Sequence, residues 1–189
     1  EDGVMMVNAE LIPLSNPNFE SGPPSIDSIE ISRVIDRGIR ESGALDTKKL
    51  CIEKGEKVWM INIDVCPLNH DGNLIDLGAL GAVAALQTAV FPKYDEKSGV
   101  DYHEKTKKKL SLNRVPVSVT VFKIGEAFVV DPTEDEEAAV DARFTMSVTE
   151  KGDLCAVQKG GNESLTSDDI GKMVDLASKK AQELRKLLG

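Results

Sequence analysis

Nowhere in this 189-residue chain do about 18 apolar side chains follow one another, so no segment has the length of a membrane-spanning helix. Cysteine is scarce: Cys51, Cys66 and Cys155 are an odd number and none forms a Cys-x-x-Cys pair, which argues against both a disulfide framework and a zinc site. Histidine is limited to His70 and His103. Basic residues are outnumbered, 23 against 32 acidic, for a net charge of −9. That balance opposes nonspecific binding to nucleic acid, so any RNA contact has to be local or shared with a more basic partner. The first residues lack the basic-then-apolar pattern of a secretory signal, and a cytoplasmic location is the expectation. They also lack an initiator Met. Glu1 to Val7 reads as a strand already under way, with the expectation that an N-terminal portion is missing and that Val4, Met6 and Leu11 lack a partner.

What is present is a well-patterned core. Hydrophobic residues make up 41% of the chain, enough for one domain or a compact pair of similar units. Val4 to Leu14 reads as strand. Ser25 is placed to cap a helix in which Ile26, Ile29, Val34, Ile35 and Ile39 recur at helical spacing, stopped at Gly43. Lys57 to Val65 carries a continuous apolar run and predicts a buried strand. Leu74 to Val90 predicts a helix apolar nearly all round, hence covered on several sides. Pro92 to Ser111, with Lys105, Lys107, Lys108 and Lys109, is polar and predicts a solvated excursion that could brush RNA. Two hairpins follow, about Gly125-Glu126 and about Lys151-Gly152-Asp153. A final helix is capped at Thr166 and carries Ile170, Met173, Val174, Ala177, Ala181, Leu184 and Leu188. The order predicts an α+β fold with helices packed on a sheet.

Three constellations have chemical potential. Asp71-Gly72-Asn73-Leu74-Ile75-Asp76 lies where a strand hands over to a helix N-terminus, a usual place to hold a phosphate. Yet Asn73, Leu74 and Ile75 are poor anion ligands, and Asp76 is expected to repel one. Asp135 and Asp141, among Asp131, Glu134, Glu136 and Glu137, could bind Mg²⁺ or act as general acid, or form a solvated acidic loop. Arg33, Arg37 and Arg40 line one helix face and could track RNA phosphates; the competing arrangement pairs Glu30 with Arg33, Asp36 with Arg40 and Arg37 with Glu41. His70 before Asp71 has no Ser or Cys nucleophile in an obvious elbow, and Trp59 reads as core.

Taken together, Glu30 to Arg40, Ile61 to Asp76 with Leu80-Gly81-Ala82, and Asp131-Pro132-Thr133 to Asp141 resemble the RNase PH domain family. These are phosphate-dependent 3′→5′ exoribonucleases that include polynucleotide phosphorylase and the exosome core. The likeness spans nearly the whole chain and is similar in particular to the non-catalytic RNase PH-like subunits of archaeal exosomes. It implies an RNase PH-like α+β domain over residues 1–189, with the βαβ unit of ribosomal protein S5 domain 2-like folds and without the family's first strands. Catalytic members carry Gly-Gly, Ser or Thr, then Arg after the Asp of the strand-to-helix turn, and these hold the attacking phosphate. Here Asn73, Leu74 and Ile75 stand in those positions. Losing even one preorganised donor costs about 10²–10³ in rate. Asp135 and Asp141 keep the separation of the family's catalytic aspartates and would be relics.

The resemblance implies a non-catalytic ring subunit that alternates with a catalytic paralogue in a hexamer, three copies of each, with RNA-binding caps. Arg33 and Arg37 would bind the single-stranded RNA, joined by Arg40, which matches the family pattern less closely. No cofactor, no metal and no membrane partner are expected. Two rivals remain: an active phosphorolytic exoribonuclease using Asp135 and Asp141, with Arg143 or His70 replacing the lost Arg, and an unrelated acidic α+β protein.

Overall fold

The computed structural model describes residues 2–189. Its elements are β1 (Val4–Ala9), α1 (Ile26–Glu41), β2 (Cys51–Glu53), β3 (Lys57–Val58), β4 (Met60–Val65), α2 (Leu74–Thr88), β5 (Val90–Asp95), β6 (Gly99–Lys109), β7 (Val117–Ile124), β8 (Ala127–Val130), α3 (Glu134–Glu137), β9 (Ala142–Val148), β10 (Leu154–Gly161) and α4 (Ser167–Arg185). Strand β1 pairs in parallel with β4, with Val4 opposite Met60 and Ala9 opposite Val65, so β1, α1 and β4 form a βαβ unit. A four-stranded antiparallel sheet runs in the order β10-β9-β7-β8. Helices α1 and α2 lie between the two sheets and α4 covers the far face of the larger one. The result is a β–α–β–α stack, the α+β architecture expected.

Local chemistry explains the helices. The Ser25 hydroxyl accepts the Ser28 N–H and opens α1, which buries Ile31, Val34, Ile35 and Ile39 while Ile26 and Ile29 stay exposed. The Thr166 hydroxyl and the Asp169 carboxylate form a reciprocal capping box that opens α4, whose Met173, Ala177 and Ala181 are completely buried. Two hydrophobic clusters result. One joins β1, β4, α1 and α2; the other joins β7, β9 and α4. Strands β7 and β9 are buried on both faces, and alternation sorts them. Val117, Val119, Val121, Met146 and Val148 pack toward α4, while Ser118, Thr120, Thr145 and Ser147 form a hydroxyl-bearing second face. The hydroxyls pair with each other, Ser118 with Ser147 at 2.7 Å and Thr120 with Thr145 at 2.9 Å.

Four expectations change. Residues 92–111 are not an irregular excursion: β5 and β6 form a hairpin with two register shifts, and Trp59 packs on its Phe91 and Tyr94 rings. Strand β4 is only half buried. The helices cover its Ile61, Ile63 and Val65 side, whereas Met60 and the neighbouring Val4 and Met6 of β1 are exposed. Leu11, expected to lack a partner, is buried in the first cluster. The free edge of β4 and the Leu77, Gly81 and Ala85 line of α2 wall an apolar groove of about 750 Å³, so α2 is not covered all round.

Gly38 lets α1 approach the sheet: a Cβ there would sit 2.6 Å from the Ser147 Oγ and 3.2 Å from the Ser118 Oγ. Gly171 in α4 has open space around it. Gly38→Ala should lower stability by about 1–2 kcal/mol, because wedging apart a paired hydroxyl face outweighs the helix-propensity gain of about 1 kcal/mol. Gly171→Ala should raise it by up to about 1 kcal/mol. Chemical denaturation of both variants checks the contrast, and equal effects would show that the close approach does not exist.

Candidate functional site

The site grows from the turn between β4 and α2. Gly72 has φ +91°, and a Cβ on it would fall 2.1 Å from the Pro132 carbonyl, so only glycine lets this turn lie against the segment after β8. Asn73, the residue before α2, is held in the left-handed region at φ 50° and does not cap the helix with its side chain. Its Nδ2 donates instead to Asp76 Oδ2 at 3.2 Å and to Asp131 Oδ1 at 3.1 Å. Its backbone N–H donates to Glu137 Oε1 at 2.9 Å. An anion does stand at the start of α2, and it is the protein's own carboxylate. Helix N-termini favour negative charge, which makes Glu137 a stable occupant.

Leu74 and Ile75 are buried among the first hydrophobic cluster. Asp76, expected to repel an anion from the helix end, is turned into the interior, where it accepts the Thr120 N–H at 2.8 Å and the Thr120 hydroxyl at 2.7 Å. It ties α2 to β7. Burial pushes the Asp76 carboxyl up to about 6, while the bonds from Thr120 and Asn73 favour its charged form and Asp131 opposes it.

The acidic turn is a strap. Thr133 and Glu136 form a capping box that opens α3. Glu134 accepts from the Asn16 Nδ2 with both carboxylate oxygens, at 2.9 and 3.0 Å, and Glu137 holds Asn73. Asp141 Oδ2 accepts the Gly125 N–H at 2.7 Å in the β7–β8 turn, and Asp135 is exposed. Among the described residues no group of three or more His, Cys, Asp or Glu is arranged to hold a metal ion. A cavity of about 250 Å³ lies beside the turn, lined by Asn73, Leu74, Ile75, His70, Glu137 and Arg143 among others. His70 stacks on Phe19, ring centroids 5.3 Å apart, and its Nδ1 accepts the Gly72 N–H. Arg143 pairs with Glu30 at 2.6 Å.

The three arginines of α1 are not equivalent. Arg40 forms a two-pronged pair with Asp36, at 2.6 and 3.0 Å, and its Nη2 also donates to the Met5 carbonyl. Arg37 donates to the Gln158 Oε1 at 3.0 Å on β10. Arg33 makes no ion pair among the described residues, since Glu30 is engaged by Arg143. Of the three pairings that helical spacing offers, only Asp36 with Arg40 forms. Sequence reasoning missed the bonding roles of Glu137, Asn16 and Asp76. The Thr133-x-x-Glu136 spacing announced the α3 turn, but nothing local announced what Glu137 would bond.

Both halves of the chain match a known family: the 3′ exoribonuclease family, domain 1 over residues 1–92 and domain 2 over residues 114–180. The chain belongs to this RNase PH family of 3′ exoribonucleases. Among its relatives is the exosome complex component Rrp42 of Methanocella arvoryzae, 47% identical over 188 residues that cover 100% of this chain and 70% of the relative. The Rrp42 of Pyrococcus furiosus is 46% identical over 188 residues, 98% of this chain and 68% of the relative. Among solved structures, a chain of the Archaeoglobus fulgidus exosome with RNA bound to the active site superposes with a TM-score of 0.91 at 40% identity, covering 100% of this chain and 72% of that one. A chain of an archaeal exosome core gives 0.84 at 36%, covering 99% and 69%.

Asp76 supplies a pH test. Its folded-state affinity for protons, about 6, exceeds the ordinary value of 3.8. The native state therefore holds a proton that the unfolded state releases between about pH 4 and 6, and the stabilisation tied to that proton is complete below pH 4 and lost as pH rises through 6. The contribution is about 3 kcal/mol at most. Urea denaturation from pH 4 to 7 should show the wild type losing stability relative to Asp76→Asn across that window and running parallel to it above. Parallel curves throughout would mean that Asp76 titrates normally.

Proposed function

We propose that this chain is a non-catalytic RNase PH-like subunit of an archaeal-type exosome core, supporting 3′→5′ phosphorolytic RNA degradation by a catalytic paralogue. The observation that carries the reading is the occupied helix end. Where phosphorolytic relatives would need inorganic phosphate, Glu137 already accepts the Asn73 N–H at the start of α2, and Leu74 and Ile75 belong to the core. The catalytic chemistry then falls to a neighbour, and the chain's work is to complete an alternating hexameric ring with RNA-binding caps and to steer single-stranded RNA. Arg33 and Arg37 supply the RNA contact, since neither guanidinium is held by a carboxylate among the described residues. Arg40, clamped between Asp36 and Met5, serves α1 and β1 instead. A cytoplasmic setting accompanies this role; among the described residues no helix is long and apolar enough to cross a membrane.

The rival reading, an active exoribonuclease using Asp135 and Asp141, is opposed by the partners its parts already have. Asp141 is bound to Gly125, Arg143 to Glu30, and His70 lies against Phe19. The test is reconstitution with a catalytic RNase PH-like partner, with phosphate-dependent release of nucleoside diphosphates from poly(A) as the readout. The chain alone should release none, with or without Asp141→Asn. In the assembly, Arg33→Glu with Arg37→Glu should weaken RNA binding at least about tenfold, given about 1.5–3 kcal/mol for each charge-assisted bond. Phosphorolysis by the isolated chain, or an unimpaired double variant, overturns the reading.

The sheet of β1 and β4 belongs to the same proposal. A two-stranded parallel sheet with one bare face is unusual, because parallel sheets are normally covered on both sides. The chain acts as one RNase PH-like unit over residues 1–189, whose exposed Val4, Met6 and Met60 and open β4 edge are completed by further β-structure. Met60→Lys should then lower the melting temperature of the assembled ring by several degrees; an unchanged value would show that the face stays in water.

A further inference from the structure

The net charge of −9 conceals a separation. The acidic turn docks at the start of α2, through Glu137 and Asn73. The β5–β6 hairpin leaves from the other end of the same helix, where the Leu110 N–H bonds the Ala89 carbonyl. The helix between them has 15 residues, about 22 Å of rise. Lys105, Lys107, Lys108 and Lys109 crowd into the last five residues of β6, a stretch that contains no acid. Lys108 lies over the Phe91 ring, 5.0 Å from its centroid, and Lys93 pairs with Glu104. Lys105, Lys107 and Lys109 make no ion pair among the described residues. Tyr102 on the same strand is 77% exposed. Three uncompensated ammonium groups and an exposed aromatic residue on one strand supply the elements of a sequence-indifferent single-strand contact, charge for the backbone and a ring face for a base.

We propose that the β5–β6 hairpin is a second contact for single-stranded RNA, separate from Arg33 and Arg37 on α1 and reached by a different stretch of the same strand. It rests on the reading of the chain as an RNA-steering ring subunit. The arrangement has a physical logic. The acidic pole repels a polyanion while the lysine pole attracts it, so the field of the chain orients an incoming strand as well as holding it. Lysine point charges suit this work, since they follow a mobile backbone without fixing its geometry.

The test uses the chain assembled with its catalytic RNase PH-like partner. Binding of labelled poly(A) is titrated between about 50 and 200 mM salt for the wild type, for Lys105→Gln with Lys107→Gln and Lys109→Gln, and for Arg33→Gln with Arg37→Gln. Every ammonium withdrawn from a phosphate lowers the slope of log affinity against log salt by about 0.7 for a single strand, so the slope of the lysine variant should fall by about 2. Tyr102→Ala should weaken binding about fivefold or more without changing the slope. An unchanged slope in the lysine variant alongside a reduced one in the arginine variant overturns the hairpin contact and leaves the RNA-steering reading standing. Unchanged slopes in both overturn the two together. A lysine variant that binds RNA normally but no longer assembles makes the hairpin a protein-docking element and also overturns the proposal.

Discussion

A single buried carboxylate holds the two halves of this molecule in register. Asp76 leaves the first turn of α2, which belongs to one hydrophobic cluster, and receives both the N–H and the hydroxyl of Thr120 on β7, which belongs to the other. An ionised carboxylate is costly to bury, and three donors converging on one side chain, the third from Asn73, offset part of that cost. Because two of those donors belong to Thr120 on β7, the bond geometry sets the position of α2 over the sheet more sharply than apolar contact would, which is non-directional. The hydroxyls of Ser118, Thr145 and Ser147 continue the same polar seam, and Gly38 brings α1 down onto it.

The strand-to-helix turn inherits its form from that seam. With Asp76 drawn inward, Asn73 is pulled between two carboxylates and its backbone N–H is left for a third, from Glu137. Gly72 at positive φ makes room for Pro132, so the β4–α2 turn and the acidic segment lie against each other. The start of α2 is thereby met by a carboxylate of the chain itself. This is how a member of a 3′ exoribonuclease family can keep the fold closely, at a TM-score of 0.91 to an exosome chain, while a carboxylate of its own stands at the helix end. The relation of fold to activity is indirect, since the function is carried by what the site holds.

Charge follows the same division. Carboxylates gather at the start of α2, where they cap helices and strap loops. Lysines gather at its end, on a hairpin attached through an aromatic base of Trp59, Phe91 and Tyr94. An overall acidic chain can therefore still present cationic surfaces, because fields at a surface depend on local groups more than on their sum.

Periodicity alone determined much of this protein. The stripe of α1, the capping signals at Ser25 and Thr166, the two later hairpins and the α+β order were all legible, because each is set by neighbours within a few residues. Family membership was legible from three stretches taken together. What the tertiary structure decided is every pairing over long separation: Asp76 with Thr120, Glu137 with Asn73, Glu134 with Asn16, and Arg143 with Glu30. Residues 92–111 lie in a hairpin whose Phe91 and Tyr94 rings pack on Trp59, a contact between distant segments, and half of β4 stayed bare because helices cover one side only. A side chain's spacing says which face it takes, but which of several donors lies across that face depends on how distant segments are brought together, and that is settled only by the packed fold.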